Sequence, residues 1–304
     1  MNKFNPTSRR TFVSTMTKAA ATSMFLSTPV ITHAQPKQAG QQSMTVQQVM
    51  DLILATIPGA PFAKTVDTLK TGSASQTVTG IVSTMFATTD VIHQAIAAGA
   101  NFIIVHEPTF YNHLDETDWL KNDPVFRHKY DLLIKHGIAV WRFHDYWHTH
   151  RPDGIRTGVM NALGWSKYAD RNNPDVLTLS PVPLHKLIAH TKAKLGIKLV
   201  RVVGDPAQSC RRLLLLPGAS GGRNQIAAIE KVKPDVVLCG EVSEWETPEY
   251  IRDARRQGQT ISLVVLGHIM SEAPGMEWLV SWLQPKLPGI KCSYIPSGNA
   301  FVYI

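Results

Sequence analysis

Three apolar runs in this chain end in residues that bind metal ions. Phe102-Ile103-Ile104-Val105 leads into His106-Glu107-Pro108. Ile138–Phe143 leads into His144, with His148 four residues on, and Ile261–Leu266 leads into Gly267-His268, with Glu272 four residues on. Imidazole and carboxylate without thiolate suit zinc, manganese, iron or nickel. Positions i and i+4 share a face of a helix, so His144 with His148 and His268 with Glu272 can each act as a pair. One histidine after a strand is more often a hydrogen-bonded structural residue, but three sets after three buried runs form a pattern. The six candidates, His106, Glu107, His144, His148, His268 and Glu272, exceed the four ligands of one structural zinc. They match two divalent ions sharing a carboxylate or water. That arrangement suits hydrolysis of a small-molecule substrate, a phosphoester or a cyclic C–N bond, with metal-bound water as nucleophile. Glu241, which follows the apolar run Asp235–Cys239, and Glu272 are the candidates for proton transfer. His113, His128, His136 and His150 follow no such pattern and are assigned to ordinary surface or core positions.

A second chemistry competes. Gly218-Ala219-Ser220-Gly221-Gly222 matches G-x-S-x-G between a predicted strand and a predicted helix, as a nucleophile elbow requires. With His268 as base and Asp235 as acid this would be a serine hydrolase. No HGGG-type oxyanion motif precedes it, and it leaves His106, Glu107, His144 and His148 without a role. The plainer reading is a turn whose free N–H groups could receive an anion. A third class is a protein that holds metal without turning anything over.

The elements that must carry these residues alternate helix and strand throughout. Residues 44–57 have apolar side chains at helical spacing behind Thr45, a good N-cap. A strand over 80–85, a helix over 90–98 behind Thr88 or Thr89, and the strand 102–105 form a strand–helix–strand unit, which implies a parallel pair. A helix follows over 124–136, with Asp123 as cap, Pro124 at its first position and Gly137 as stop. Then come a strand over 138–143 and a helix over 154–163 closed by Gly164. The second half gives helices over 184–195, 224–231, 247–257 and 276–283. Its strands fall over 199–203, 212–216, 235–239, 261–266, 292–295 and 301–304. The predicted class is α/β with mixed sheets flanked by helices. In such sheets ligands collect just beyond the carboxyl ends of strands, where all three candidate sets sit.

The first 34 residues stand apart. Ser8-Arg9-Arg10-Thr11-Phe12, an apolar run from Ala19 to Ile31 and Thr32-His33-Ala34 have the order of a twin-arginine export signal, and no acid interrupts them. Residues 1–34 are therefore set aside from the fold, residues 35–43 are expected to be a linker, and the protein is expected to be periplasmic or secreted. Four positive charges, Lys3, Arg9, Arg10 and Lys18, belong to that segment, so a formal charge of +8 becomes +4 without it. The basic balance thus implies no nucleic-acid partner, and no run of 18 apolar residues implies a membrane span. Cys210, Cys239 and Cys292 are too few and too scattered for a disulfide framework or a zinc–thiolate site, and Cys239 falls inside a core run.

Residues 77–111, TVTGIVSTMFATTDVIHQAIAAGANFIIVHEPTFY, together with GHIMSE at 267–272, resemble the NIF-three-like family, whose members are also described as GTP cyclohydrolase type-two homologs. The resemblance implies a two-lobed α/β fold, a toroidal homohexamer and a dinuclear metal centre between lobes. The two lobes are expected to divide near Ser180–Leu184, where the rhythm of the elements changes, with 44–180 and 261–304 in the lobe carrying most ligands and 181–260 in the other. The resemblance also implies a ligand set departing from the usual one at two positions. Glu107 stands where a histidine is usual, and His148 stands where an aspartate is usual. Glu241 takes the place of an aspartate near the cleft.

Overall fold

The computed structural model describes residues 43–304. The expected export signal, and the expected linker except for its last residue, lie outside that range. The first helix, α1 (Val46–Leu54), starts where its cap dictates. Thr45 Oγ1 accepts from the Gln48 amide at 3.2 Å, and Gln48 Oε1 accepts from the Thr45 amide at 2.8 Å. This capping box satisfies two amide hydrogens that a helix start otherwise leaves free. After β1 (Leu69–Thr71) come β2 (Ile81–Thr84), α2 (Thr89–Ala97) and β3 (Phe102–Val105). Every residue of β2 and β3 is buried. The strands pair in parallel with Ile81 opposite Phe102, as unbroken apolar runs joined by a helix require. Next are α3 (Pro124–Lys135), β4 (Ala139–Arg142), the short α4 (Asp145–Thr149) and α5 (Gly154–Leu163). Asp123 and Asp153 cap α3 and α5, and Gly164 ends α5 in the left-handed region at φ 70°.

The second half comprises β5 (Val176–Pro183), α6 (Leu184–Leu195), β6 (Arg201–Val203), β7 (Ser209–Leu216), α7 (Gly222–Val232), β8 (Val236–Cys239), α8 (Thr247–Arg256), β9 (Ser262–Val265), α9 (His268–Leu283) and β10 (Cys292–Tyr294). The strands form two five-stranded sheets, in the orders β1-β4-β3-β2-β10 and β5-β7-β8-β9-β6. The pairs β2–β3, β3–β4, β7–β8 and β8–β9 are parallel, while β1, β5 and β6 run antiparallel at edges. The α/β class with two mixed, helix-flanked sheets is what the alternation of elements implied. One apolar core continues from Phe102, Ile104 and Trp141 of the first sheet, past α5 and α9, to Leu213, Leu238 and Val264 of the second. Each large apolar side chain fully buried there contributes about 1.5–3 kcal/mol. Separate clusters cover the outer faces beneath α2 and α3 and beneath α7 and α8.

Several features differ from the sequence reading, β1 and α4, which it did not contain, among them. β9 pairs with β8 and β6, so residues 261–265 go with the second sheet, whereas 261–304 was assigned to the first lobe. A buried strand carries no local mark of which sheet it will join. Helix α9 begins at His268 rather than near Met276. Pro274 lies inside it and leaves the Met270 carbonyl without the usual amide donor, and that proline hid the first two turns. Strand β5 was not foreseen because it carries Pro181 and Pro183, tolerated only at a sheet edge, and its pairing with β7 shifts register between Thr178 and Val182. Residues 301–304, apolar enough for a strand, have no partner strand and are exposed.

Helix α9 leaves the second sheet and packs against β2, β10 and α5. Its crossing with α5 is made main chain to main chain. A Cβ on Gly158 would lie 2.2 Å from the Pro274 carbonyl oxygen, and one on Gly275 would lie 2.5 Å from the Ile155 Cα.

Candidate metal centre

The parallel strands present their carboxyl ends to one space. His106 follows β3, His144 follows β4, Glu241 follows β8 and His268 follows β9. All six metal candidates meet there. His268 Nε2, from the second sheet, lies 3.1 Å from Oε1 of Glu107, from the first, and 3.0 Å from Glu272 Oε2. The ligating atoms of His106, His144 and His148 lie within 4.8 Å of one another, and so do those of His106, Glu107 and Glu272. His106 belongs to both groups. The i,i+4 spacings do what they implied: the His144 and His148 rings stand 4.9 Å apart around α4, and His268 and Glu272 share the first turns of α9.

Each histidine is held by its outer nitrogen. His106 Nδ1 is 3.2 Å from the Phe143 carbonyl oxygen, and His144 Nδ1 is 2.9 Å from Asp145 Oδ1. His148 Nδ1 is 3.1 Å from Asp153 Oδ2, and His268 Nδ1 is 3.2 Å from Glu241 Oε2. An acceptor at Nδ1 fixes the proton there and leaves Nε2 as the lone-pair donor, which is how metal-ligating histidines are oriented. Asp145 is itself fixed by Thr65 Oγ1 at 2.8 Å and the Val66 amide at 3.2 Å, and Asp67 holds the His144 and Tyr146 amides at 2.8 Å.

Inside this frame polar atoms are left over. His106 Nε2 is buried without a hydrogen-bond partner, 3.7 Å from Glu272 Oε2, which also has none of good geometry. Buried polar groups are nearly always paired, so such a cluster asks for something between them. The donor set of imidazoles and carboxylates fits a divalent cation. The electrostatics agree. Burial, with the neighbouring His148 and His144, drives the His106 pKa well below its usual value, so its ring is neutral. Burial opposes charge on Glu107, but the hydrogen bond from His268 and the surrounding imidazoles outweigh it and hold the carboxyl at about 2. For His268 burial is likewise overcome, here by Glu107 and Glu272, which raise its pKa to about 11. The site is built around positive charge, and in the metal-free chain a proton on His268 provides it.

The Gly218–Gly222 turn forms one wall. Glu272 lies against Gly218, where a Cβ would come within 2.1 Å of its Oε1, and Ser271 Oγ accepts from the Gly218 amide at 3.0 Å. The geometry does not make Ser220 a nucleophile. Its hydroxyl is buried without a hydrogen-bond partner, so no base addresses it. Asp235, offered as the triad acid, sits at the opposite end of β8 from Glu241, roughly 20 Å along the strand. There its Oδ2 accepts from the Arg211 and Arg212 amides at 2.7 Å.

Some of the site escaped the sequence reading. Asp153 is the cap of a foreseen helix and lies five residues after His148, which was the available signal. Asp145 adjoins His144. Arg142, a guanidinium in an otherwise apolar run, is fully buried under Glu107. His113, assigned to an ordinary surface or core position, stands at the margin with its ring 6.2 Å from that of His144. His150 is buried against Trp147, Trp278 and Trp282, away from the ligands. The three cysteines are free and buried, and no helix among the described residues is long and apolar enough to cross a membrane.

Comparison with known proteins places this geometry. Residues 44–298 match the family model described as Duf34/NIF3 (NGG1p interacting factor 3). A GTP cyclohydrolase 1 type 2 homolog of Clostridium perfringens is 23% identical over 216 residues, covering 68% of this chain and 78% of that protein. The homolog of the same name from Escherichia coli K12 is 27% identical over 216 residues, covering 68% and 80%. The crystal structure of Staphylococcus aureus protein SA1388 superposes with a TM-score of 0.68 at 20% identity, covering 86% of this chain and 99% of that one. A Bacillus cereus protein related to NIF3 does so with a TM-score of 0.67 at 16% identity, covering 86% and 99%. These structural likenesses concern the fold.

Proposed function

The chain belongs to the Duf34/NIF3 family, and from that premise we propose that it is a metal-dependent hydrolase with a dinuclear centre held by His106, Glu107, His144, His148, His268 and Glu272. One observation carries the reading. Four histidines from both sheets each have Nδ1 engaged from outside and Nε2 turned to a common space, where buried polar atoms stand unpaired. Divalent ions bound there would supply Lewis acidity and a water acidified from about 16 towards 7. The chain's own residues would divide the remaining work. Glu107, which groups with His106 and Glu272, would serve as a ligand. Glu272, 3% exposed and pressed on Gly218, acts as ligand. Glu241, with its side chain 55% exposed and bonded to His268, carries protons between the centre and solvent. The amides of Ala219, Ser220 and Gly221 receive an anionic group of the substrate, those of Gly218 and Gly222 being engaged by Ser271 Oγ and Glu246 Oε2. The relatives' name, GTP cyclohydrolase 1 type 2 homolog, favours a cyclic C–N bond over a phosphoester. By the family resemblance the assembly is a homohexamer, and by their twin-arginine pattern residues 1–34 direct export.

The test begins with elemental analysis of protein purified without chelator, where about two divalent ions per protomer are expected. A panel of cyclic amide and phosphoester substrates is then run on loaded protein, chelated protein and His268→Ala. Turnover confined to the loaded wild type is the expected result. Activity that survives chelation refutes the proposal, and tight metal without turnover on any substrate recasts the chain as a metal-binding protein.

A further inference from the structure

Arg142 ends β4, a strand buried at every position, and is itself fully buried. A guanidinium taken out of water is unfavourable unless its charge and N–H groups are answered. Its Nε donates to the His106 carbonyl oxygen at 3.3 Å and its Nη1 donates to that of His113, so it ties both ends of the 106–113 loop. Two carboxylates are in reach. Asp115 Oδ2 lies 3.7 Å from Nη1 but is shared with Lys70 Nζ at 3.2 Å. Glu107 Oε2 lies 3.8 Å from Nη2, which has no other partner. The two oxygens of Glu107 thereby face different ways. Oε2 points to Arg142, while Oε1 points to the centre, 3.1 Å from His268 Nε2 and 4.0 Å from His144 Nε2.

We propose that Arg142 is a positioning residue that draws Oε2 of Glu107 into the interior, so that Glu107 offers the metal centre a single oxygen, Oε1, and that the two residues depend on each other. The inference rests on the metal-centre reading. A carboxylate free of Arg142 could rotate and turn both oxygens, rather than Oε1 alone, towards the centre. A neutral ligand at 107 would leave Arg142 and Lys70 to share the single carboxylate of Asp115.

The experiment compares the wild type with Arg142→Met, Arg142→Lys, Glu107→His and the double variant Glu107→His/Arg142→Met. Zinc affinity is read by competition with a chromophoric chelator, and melting temperature is read on the metal-stripped proteins. Arg142→Met should weaken zinc binding about tenfold or more, and Arg142→Lys, which keeps the charge but not the fork, should recover part of that loss. Glu107→His should lower the stripped melting temperature by roughly 10 °C because it strands Arg142. Adding Arg142→Met should restore much of that drop and weaken zinc binding no further. Wild-type affinity in folded Arg142→Met overturns the proposal, as do losses that simply add in the double variant. Should Arg142→Met not fold, a folded double variant still supports the pairing, and an unfolded one overturns it. A wild-type chain that takes up no zinc overturns the metal-centre reading itself, and this proposal with it.

Discussion

Gly218 and Gly221 provide a matched pair of substitutions. Both sit at positive φ, 67° and 77°, so alanine at either strains the backbone, by about 1–3 kcal/mol, and Gly221, whose ψ of 146° lies outside the left-handed helical well, bears the larger strain. What the new methyl meets differs. At Gly221 nothing lies within 4 Å, whereas at Gly218 the Cβ falls 2.1 Å from Glu272 Oε1 and 2.6 Å from its Cδ. Ordinary van der Waals contact starts at 3.4 Å, so the carboxylate must retreat by about 1.3 Å. Metal–ligand distances hold to about 0.2 Å, so a retreat of that size removes the ligand. Gly218→Ala should therefore weaken metal binding by about 100-fold or more, equivalent to about 2.7 kcal/mol, while Gly221→Ala leaves it within about twofold. The struck atoms are the far end of a flexible side chain, so Gly218→Ala should melt no further below wild type than Gly221→Ala, each by roughly 2–12 °C. Chelator competition and thermal melts of the stripped proteins supply the two readouts. Equal metal affinities in the two variants would refute the placement of Glu272 as a ligand held by that turn.

Two further outcomes follow from the charged groups. Asp153→Asn keeps the helix cap but removes the charge behind His148 Nδ1, so metal affinity should fall about tenfold while stability stays nearly unchanged. Asp153→Ala should also lose the cap, about 0.5–2 kcal/mol in urea unfolding; an unchanged affinity in both would remove Asp153 from the site. Burial lowers the Lys129 pKa to about 8, with Asp115 partly opposing, from 10.5 in the unfolded chain. The native state then sheds this proton first as pH rises, so Lys129 makes stability grow between about pH 8 and 10.5, by at most about 3 kcal/mol. In urea unfolding at pH 7.5 and 10, Lys129→Met should flatten that growth, and parallel curves for the two proteins would contradict the assignment.

What could be read in the sequence was local. The capping signals Thr45, Thr88 and Asp123 act within a turn, and all three helices begin where they implied. The candidate ligands were legible for the same reason: strand ends and i,i+4 spacing are short-range patterns, and they put all six residues in one place. The second rank was hidden because its partners are remote or of another type. Phe143 serves His106 through a main-chain carbonyl, which no residue type announces. Glu241 reaches His268 across 27 residues, and Arg142 is understood only once Glu107, 35 residues earlier, lies above it. The G-x-S-x-G pattern misled for a related cause. A strand–turn–helix can be read from sequence, but whether an acid lies at the near or far end of the next strand depends on strand direction and register.

The crossing of α5 and α9 works as a calliper. One jaw is the start of α5, where Asp153 holds His148. The other is the start of α9, which carries His268 and Glu272 and reaches Gly275 within the next turn. The screw that sets their separation is the contact of Gly158 with Pro274 and Gly275, where main chain rests on main chain. Side chains at a helix crossing can change rotamer to absorb a small displacement, but touching backbones cannot. The gap between His148 and Glu272 is thus a manufactured dimension. Any residue bulkier than glycine at 158 or 275 resets the gauge itself.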